Sequence, residues 1–173
     1  LGSLLGWLIA DGTVVKDRAV LSFFGEKREL AESFSENMQS LVVGENTNNR
    51  NYSTEAYEIK GRDEQRIGSA RFLRIAEEHG FDRSNKHHIP ESLWTGSEEM
   101  IRGFLQAMFT ADGTVLSQTK NNTKGVRLTS ISYEMLQGVQ QLLMNFGIAS
   151  RIYKNRRKAG ERLMPDGKGG MKL

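Results

Sequence analysis

Cysteine is absent from this sequence of 173 residues. That excludes a disulfide framework and any thiolate metal site. Proline is scarce, with 2 residues, and one of them, Pro90, falls between two otherwise similar stretches of chain. Apolar runs are short, and none approaches the roughly 20 residues that cross a bilayer. The N-terminal LGSLLGWLIA has no basic segment ahead of it and runs into Asp11, so it does not read as a signal peptide. Neither sign of charge dominates: the net charge is +3, so its distribution matters more than its sum. An ordinary hydrophobic fraction of 38% predicts a globular protein of one or two domains with a proper core. Together these absences lead to an expectation of an intracellular protein, cytoplasmic or nucleoid-associated, with no membrane partner.

What is present is a repeat. ADGTV occurs twice, with its aspartates at Asp11 and Asp112, each time after an apolar, helix-like segment. Upstream of each copy small residues recur every four positions: Gly2, Gly6 and Ala10, then Gly103, Ala107 and Ala111. Downstream of each come a β-rich segment and then a helical pattern closed near glycine, Gly44 or Gly147. The first copy continues with NTNNRNYSTEAYEIK, read as two strands and a turn, and DEQRIGSARFLRIAEEHG, read as a helix ending at Gly80. The order is α-β-β-α-β-β-α. The expected fold class is α+β: residues 1–81 as one half, 82–99 as a linker, and 100–173 as a second half. That second half shows one further strand, SRIYKNRRK, a turn and the start of another strand at MKL, so it reads as truncated.

Residues four apart share one face of a helix, and a stripe of Gly and Ala admits a partner backbone. Glycine inside a helix costs about 0.5–1 kcal/mol relative to alanine, so Gly6 and Gly103 need a packing reason. The simplest partner for one stripe is the other, which would bring Asp11 and Asp112 together. Carboxylates at helix C-termini are unfavourable, and two of them repel. A divalent cation compensates both, and Mg²⁺ holding phosphate oxygens drives phosphodiester hydrolysis. A lone Asp-Gly is an ordinary turn dipeptide; two in matched contexts point to chemistry.

LLGWLIADG (Leu4 to Gly12) and LQAMFTADG (Leu105 to Gly113) resemble the paired motifs of the LAGLIDADG homing endonucleases. KHHIPESLW and MIRGFL resemble the intein-borne members, and the closing RLMPDGKGGMKL is similar to inteins of ribonucleotide reductases. The resemblance implies a monomer with two pseudo-dimeric halves, motif helices at their interface and a saddle of antiparallel sheets on the DNA major groove. It implies cleavage of both strands of a long asymmetric site by a chain embedded in, or excised from, a host protein such as ribonucleotide reductase. Asp11 and Asp112 are then the catalytic, metal-binding acids, with Gly12 and Gly113 also in the metal site; the metal is Mg²⁺, with Mn²⁺ as a substitute. The motif usually carries another acid two positions earlier, where Ile9 and Thr110 stand here. Intein members often carry a catalytic lysine at the place of His87; either Lys86 fills that role with a shifted loop or this half has lost its lysine.

A groove-lining sheet needs cations for phosphate and polar groups for base edges. The candidates in the first half are Lys16, Arg18, Arg50, Asn51, Tyr52, Lys60 and Arg62. In the second they are Gln118, Lys120, Asn121, Asn122, Lys124, Arg127, Arg151, Lys154, Arg156, Arg157 and Lys158. The reading is a site-specific DNA endonuclease. The alternative is a nucleic-acid-binding module without cleavage, or an RNA maturase. With no cysteine and no visible splicing residues, splicing by these residues alone is not expected.

Overall fold

The computed structural model describes residues 1–43, 52–118, 123–154, 164–165 and 171–172. The first half runs α1 (Gly2–Ala10), β1 (Gly12–Val15), β2 (Arg18–Phe24), a 3-10 turn (Gly25–Leu30), α2 (Ala31–Val43), β3 (Tyr57–Glu58), β4 (Glu64–Ser69) and α3 (Ala70–Glu78). The second runs α4 (Glu98–Asp112), β5 (Gly113–Gln118), β6 (Thr123–Leu128), α5 (Tyr133–Met144), β7 (Met164–Pro165) and β8 (Met171–Lys172). Among the described residues all pairing is antiparallel: a four-stranded sheet in the order β1-β2-β4-β3 and two hairpins, β5-β6 and β7-β8. The fold is mixed α and β with antiparallel sheets.

Each Asp-Gly ends a motif helix for a steric reason. A Cβ on Gly12 would lie 2.6 Å from the Leu8 carbonyl oxygen, and one on Gly113 would lie 2.1 Å from that of Phe109. The chain leaves each helix by folding back on its own last turn, and only glycine permits that approach. The exit feeds a hairpin in both halves, Gly12 opposite Leu21 and Gly113 opposite Leu128.

Two elements differ from the sequence expectation. The helix read over residues 63–80 starts only at Ala70, because its first third is the strand β4. Glu64 and Ile67 stand three apart, which mimics a helical face, but Ile67 pairs with Leu21 in the sheet and both are fully buried. Ser69 is the last strand residue and the N-cap of α3, its hydroxyl accepting from the Phe72 N–H at 3.0 Å. Of the two strands expected over 46–60, only β3 is found among the described residues; its partner is β4, beyond a turn at Gly61, which sits at φ +76°. The strand expected at SRIYKNRRK is not formed over 150–154, and 155–158 lie outside the described residues, as does Gly44.

The first half's core is built on Trp7, stacked on Phe23 at 4.7 Å and tilted against Phe34 at 4.8 Å. Its indole N–H donates to the Ser22 carbonyl at 2.9 Å, which satisfies the one polar atom of a fully buried ring. Between the halves, Ile89 and Leu93 are buried, and Gly138 of α5 lets Ile89 approach to 2.5 Å of where its Cβ would be. The segment before α4 is thus packed against the second half.

Candidate active site

Helices α1 and α4 lie side by side and parallel through the two small-residue stripes. A Cβ on Gly2 would fall 1.9 Å from the Met100 carbonyl oxygen, and one on Gly6 would fall 2.6 Å from that of Phe104 and 2.9 Å from the Ala107 Cβ. A Cβ on Gly103 would lie 3.2 Å from the Ser3 nitrogen. Ala107 and Ala111 are buried, and Ala10 is partly so. Because the helices run in one direction, both C-terminal, partially negative ends arrive together, each carrying its aspartate.

Two lysines converge there. The Lys27 ammonium pairs with Asp11 Oδ2 at 3.1 Å and donates also to the Ala111 carbonyl of α4. Lys86 Nζ donates to the carbonyls of Ala10 at 3.1 Å and Gly12 at 2.6 Å, satisfying the end of α1. Burial pushes the Lys86 ammonium below its ordinary value, while the charges of Asp11 and Asp112 pull it back up. Asp112 reaches solvent, yet its carboxyl is held above the ordinary value, first by partial loss of water and then by the neighbouring Asp11 charge. Lys27, Lys86 and His87 act on Asp112 in the opposite sense. A cleft beside Asp112 is lined by His87, Thr129, Ser130, Ile131 and Met135. His87 Nδ1 is buried there with no hydrogen-bond partner among the described residues.

The donor set suits a hard divalent ion: two carboxylates and the carbonyls of Ala10, Gly12 and Ala111, where ammonium groups are already drawn. No group of three or more His, Cys, Asp or Glu side chains able to hold a metal occurs among the described residues. The remaining positions would fall to carbonyls, water or a phosphate. Ile9, at the place of the usual extra acid, is buried in the first-half core, and Thr110 is exposed.

The model of the LAGLIDADG-like domain matches residues 99–166. Against solved structures, the chain resembles the homing endonuclease I-DmoI in complex with DNA and Mn, with a TM-score of 0.57 and 18% identity over 88% of this chain and 80% of that one. It resembles mesophilic variants of I-DmoI with a TM-score of 0.54 and 17% identity over 86% of this chain and 76% of that one. Residues 99–166 thus match a LAGLIDADG-like domain, in a fold shared with I-DmoI. Among curated relatives, this chain is 28% identical to the ribonucleoside-diphosphate reductase NrdEB subunit alpha of Bacillus subtilis (strain 168), over 100% of this chain and 16% of that protein. It is 29% identical to the tRNA-splicing ligase RtcB of Pyrococcus furiosus, over 89% of this chain and 18% of that protein. The chain thus spans under a fifth of the length of either relative.

Of the groove candidates, Lys16 (in the β1–β2 turn), Arg18, Lys60, Lys124, Arg151 and Lys154 are exposed, and Arg127 is partly so. Lys154 lies over the Tyr133 ring at 3.5 Å. Arg62 is exposed but pairs with Glu64 at 3.5 Å. Tyr52 is drawn away from a groove role: its hydroxyl bonds Ser69 Oγ at 2.8 Å and Arg71 covers its ring at 4.1 Å. Arg50, Asn51, Lys120, Asn121, Asn122, Arg156, Arg157 and Lys158, and the side chain of Gln118, lie outside the described residues.

Sequence reasoning missed Lys27, Arg66 and the Ala10 and Ala111 carbonyls. Arg66 shares a sheet face with Ser22 and Tyr57 and pairs with buried Glu64 at 2.5 Å. Burial would raise the Glu64 carboxyl, but hydrogen bonds from Arg66 and Ser22 and the charges of Arg66 and Arg62 hold it below its ordinary value. The period-two run Glu64, Arg66, Gly68 was the available signal for a strand. No local signal marks Lys27.

Proposed function

We propose that this chain is a site-specific DNA endonuclease that hydrolyses both strands of a duplex at the C-terminal ends of α1 and α4. One observation carries the reading: Asp11 and Asp112 meet where two parallel helices end, a placement that only positive charge makes tolerable. In it, Asp11, Asp112 and the Ala111 carbonyl would hold Mg²⁺, for which Mn²⁺ could substitute. When bound, the ion neutralises phosphate charge and lowers the pKa of water. Lys86, fixed on the Ala10 and Gly12 carbonyls, stands where a donor can meet charge developing on a phosphate. Lys16, Arg18, Lys124, Arg127, Arg151 and Lys154 supply exposed cations to phosphates flanking the cut. Residues 1–81 and 100–173 act as the two halves, with 82–99 setting their spacing and carrying Lys86.

The same reading makes the chain the endonuclease part of an intein. Similar segments occur in relatives that share no common activity by name: a ribonucleotide reductase, an RNA ligase, a DNA polymerase and a DNA gyrase subunit. A mobile insert produces that distribution, and the reductase match over the whole chain favours such a host. A DNA substrate supports a location inside the cell, cytoplasmic or nucleoid-associated.

The test is incubation with a supercoiled plasmid carrying an uninterrupted ribonucleotide reductase gene, with Mg²⁺ or with EDTA. Linear product at one position, dependent on Mg²⁺, is expected. Salt-sensitive binding without any nick would reduce the protein to a binding module and defeat the proposal.

A further inference from the structure

Lys27 reaches both halves of the molecule at once. It sits in the 3-10 turn after β2, and that turn is anchored away from the acids: Gly25 N–H donates to the Asp63 carbonyl at 3.2 Å, and Arg28 pairs with the Asp63 carboxylate at 3.0 Å. So held, the turn aims Lys27 Nζ between Asp11 Oδ2 of the first half and the Ala111 carbonyl of α4. Those acceptors are a carboxylate and a backbone carbonyl, one from each motif helix, which is the oxygen pair a bridging divalent ion would take. An ammonium and a divalent ion cannot share that point. The side chain is unbranched and about a third exposed, at 34%, so it has a way out.

We propose that Lys27 is the built-in counter-ion of the metal-free protein, occupying the cation position between Asp11 and Ala111, and that divalent ions bind only in competition with it. This rests on the nuclease reading of the two aspartates. Lys27 therefore sets how tightly the site takes its metal, while it ties Asp11 to the end of α4 until the metal arrives.

The experiment measures Mn²⁺ binding to the full chain without DNA, by the electron paramagnetic resonance of the free ion, together with melting in EDTA and in Mn²⁺. Lys27→Met removes the competing charge and should bind Mn²⁺ about tenfold more tightly than the wild type. Lys27→Arg, which keeps the charge, should gain nothing. In EDTA, K27M should melt below the wild type, and Mn²⁺ should restore it. Equal or weaker Mn²⁺ binding by K27M overturns the proposal, as does a melting loss that Mn²⁺ leaves unchanged, the mark of a purely structural clamp. Persistence of the gain in a K27M/D11N double variant would place the ion elsewhere and also overturn it. Unchanged Mn²⁺ affinity in both D11N and D112N would instead overturn the nuclease reading, and this inference with it.

Discussion

The two halves share ADGTV and the hairpin after it, yet the hairpins live in different surroundings. In the first half β2 is buried over five consecutive residues, because β1 and β4 flank it and α1 and α3 pack against it. In the second half Val115 is 75% exposed and Val126 65%, and among the described residues β6 pairs with no strand but β5. The acids differ in the same way. Asp11 has an ion pair with Lys27, while Asp112 forms none among the described residues and carries a raised carboxyl. A repeated motif thus dictates how a helix ends and a hairpin begins. The burial and charge of each hairpin depend on which other elements reach it.

The largest expected effect treats the halves as equals. Asp11→Asn and Asp112→Asn should each lower the nicking rate at least about 100-fold while sparing duplex binding, since each removes an oxygen from the ion. If one variant keeps full activity on one strand, the acids serve separate cuts and the comparison sharpens.

Packing should then separate the halves. Leu21→Ala, in the fully buried β2, should cost about 2–5 kcal/mol in denaturant unfolding. Leu128→Ala, at its partly buried counterpart in β6, should cost about 1 kcal/mol. Equal losses would mean that the second hairpin is as well covered as the first.

Within the interface, Gly6→Ala drives a Cβ toward the rigid carbonyl of Phe104 and should cost about 1–3 kcal/mol. Gly103→Ala meets the Ser3 N–H at 3.2 Å and gains helix propensity, so it should stay within about 0.5 kcal/mol of wild type. Thermal melts of the pair would reveal any reversal of that order.

The acids should also differ in pH dependence. The folded protein holds a proton on Asp112 above the pH at which the unfolded chain releases it. Stability is therefore lost as pH rises from the ordinary value of 3.8 through the raised one, and stays lost above it. In EDTA, Asp112→Asn should melt above wild type at pH 7, with the gap closing as pH falls toward 3.8. Asp11→Asn strands Lys27 and should melt lower at pH 7. The smallest effect belongs to Val126→Thr, which should change stability by no more than about 0.5 kcal/mol on so open a face.

By itself the sequence determined the repeat, the helix ends at Asp11 and Asp112, the hairpins after them and the small-residue stripes on α1 and α4. These are local matters: glycine where the backbone doubles back, and spacing of four where one helix face must be thin. Only the tertiary structure decided that 64–69 is a strand, since Glu64 and Ile67 fit either period until pairing with Phe24 and Leu21 selects one. It alone set Lys27 against Asp11 and Ala111, and Lys86 on the end of α1. A charged side chain on a turn looks the same in sequence whether it meets water or a carbonyl 84 residues away, because what it meets is set by how distant elements pack.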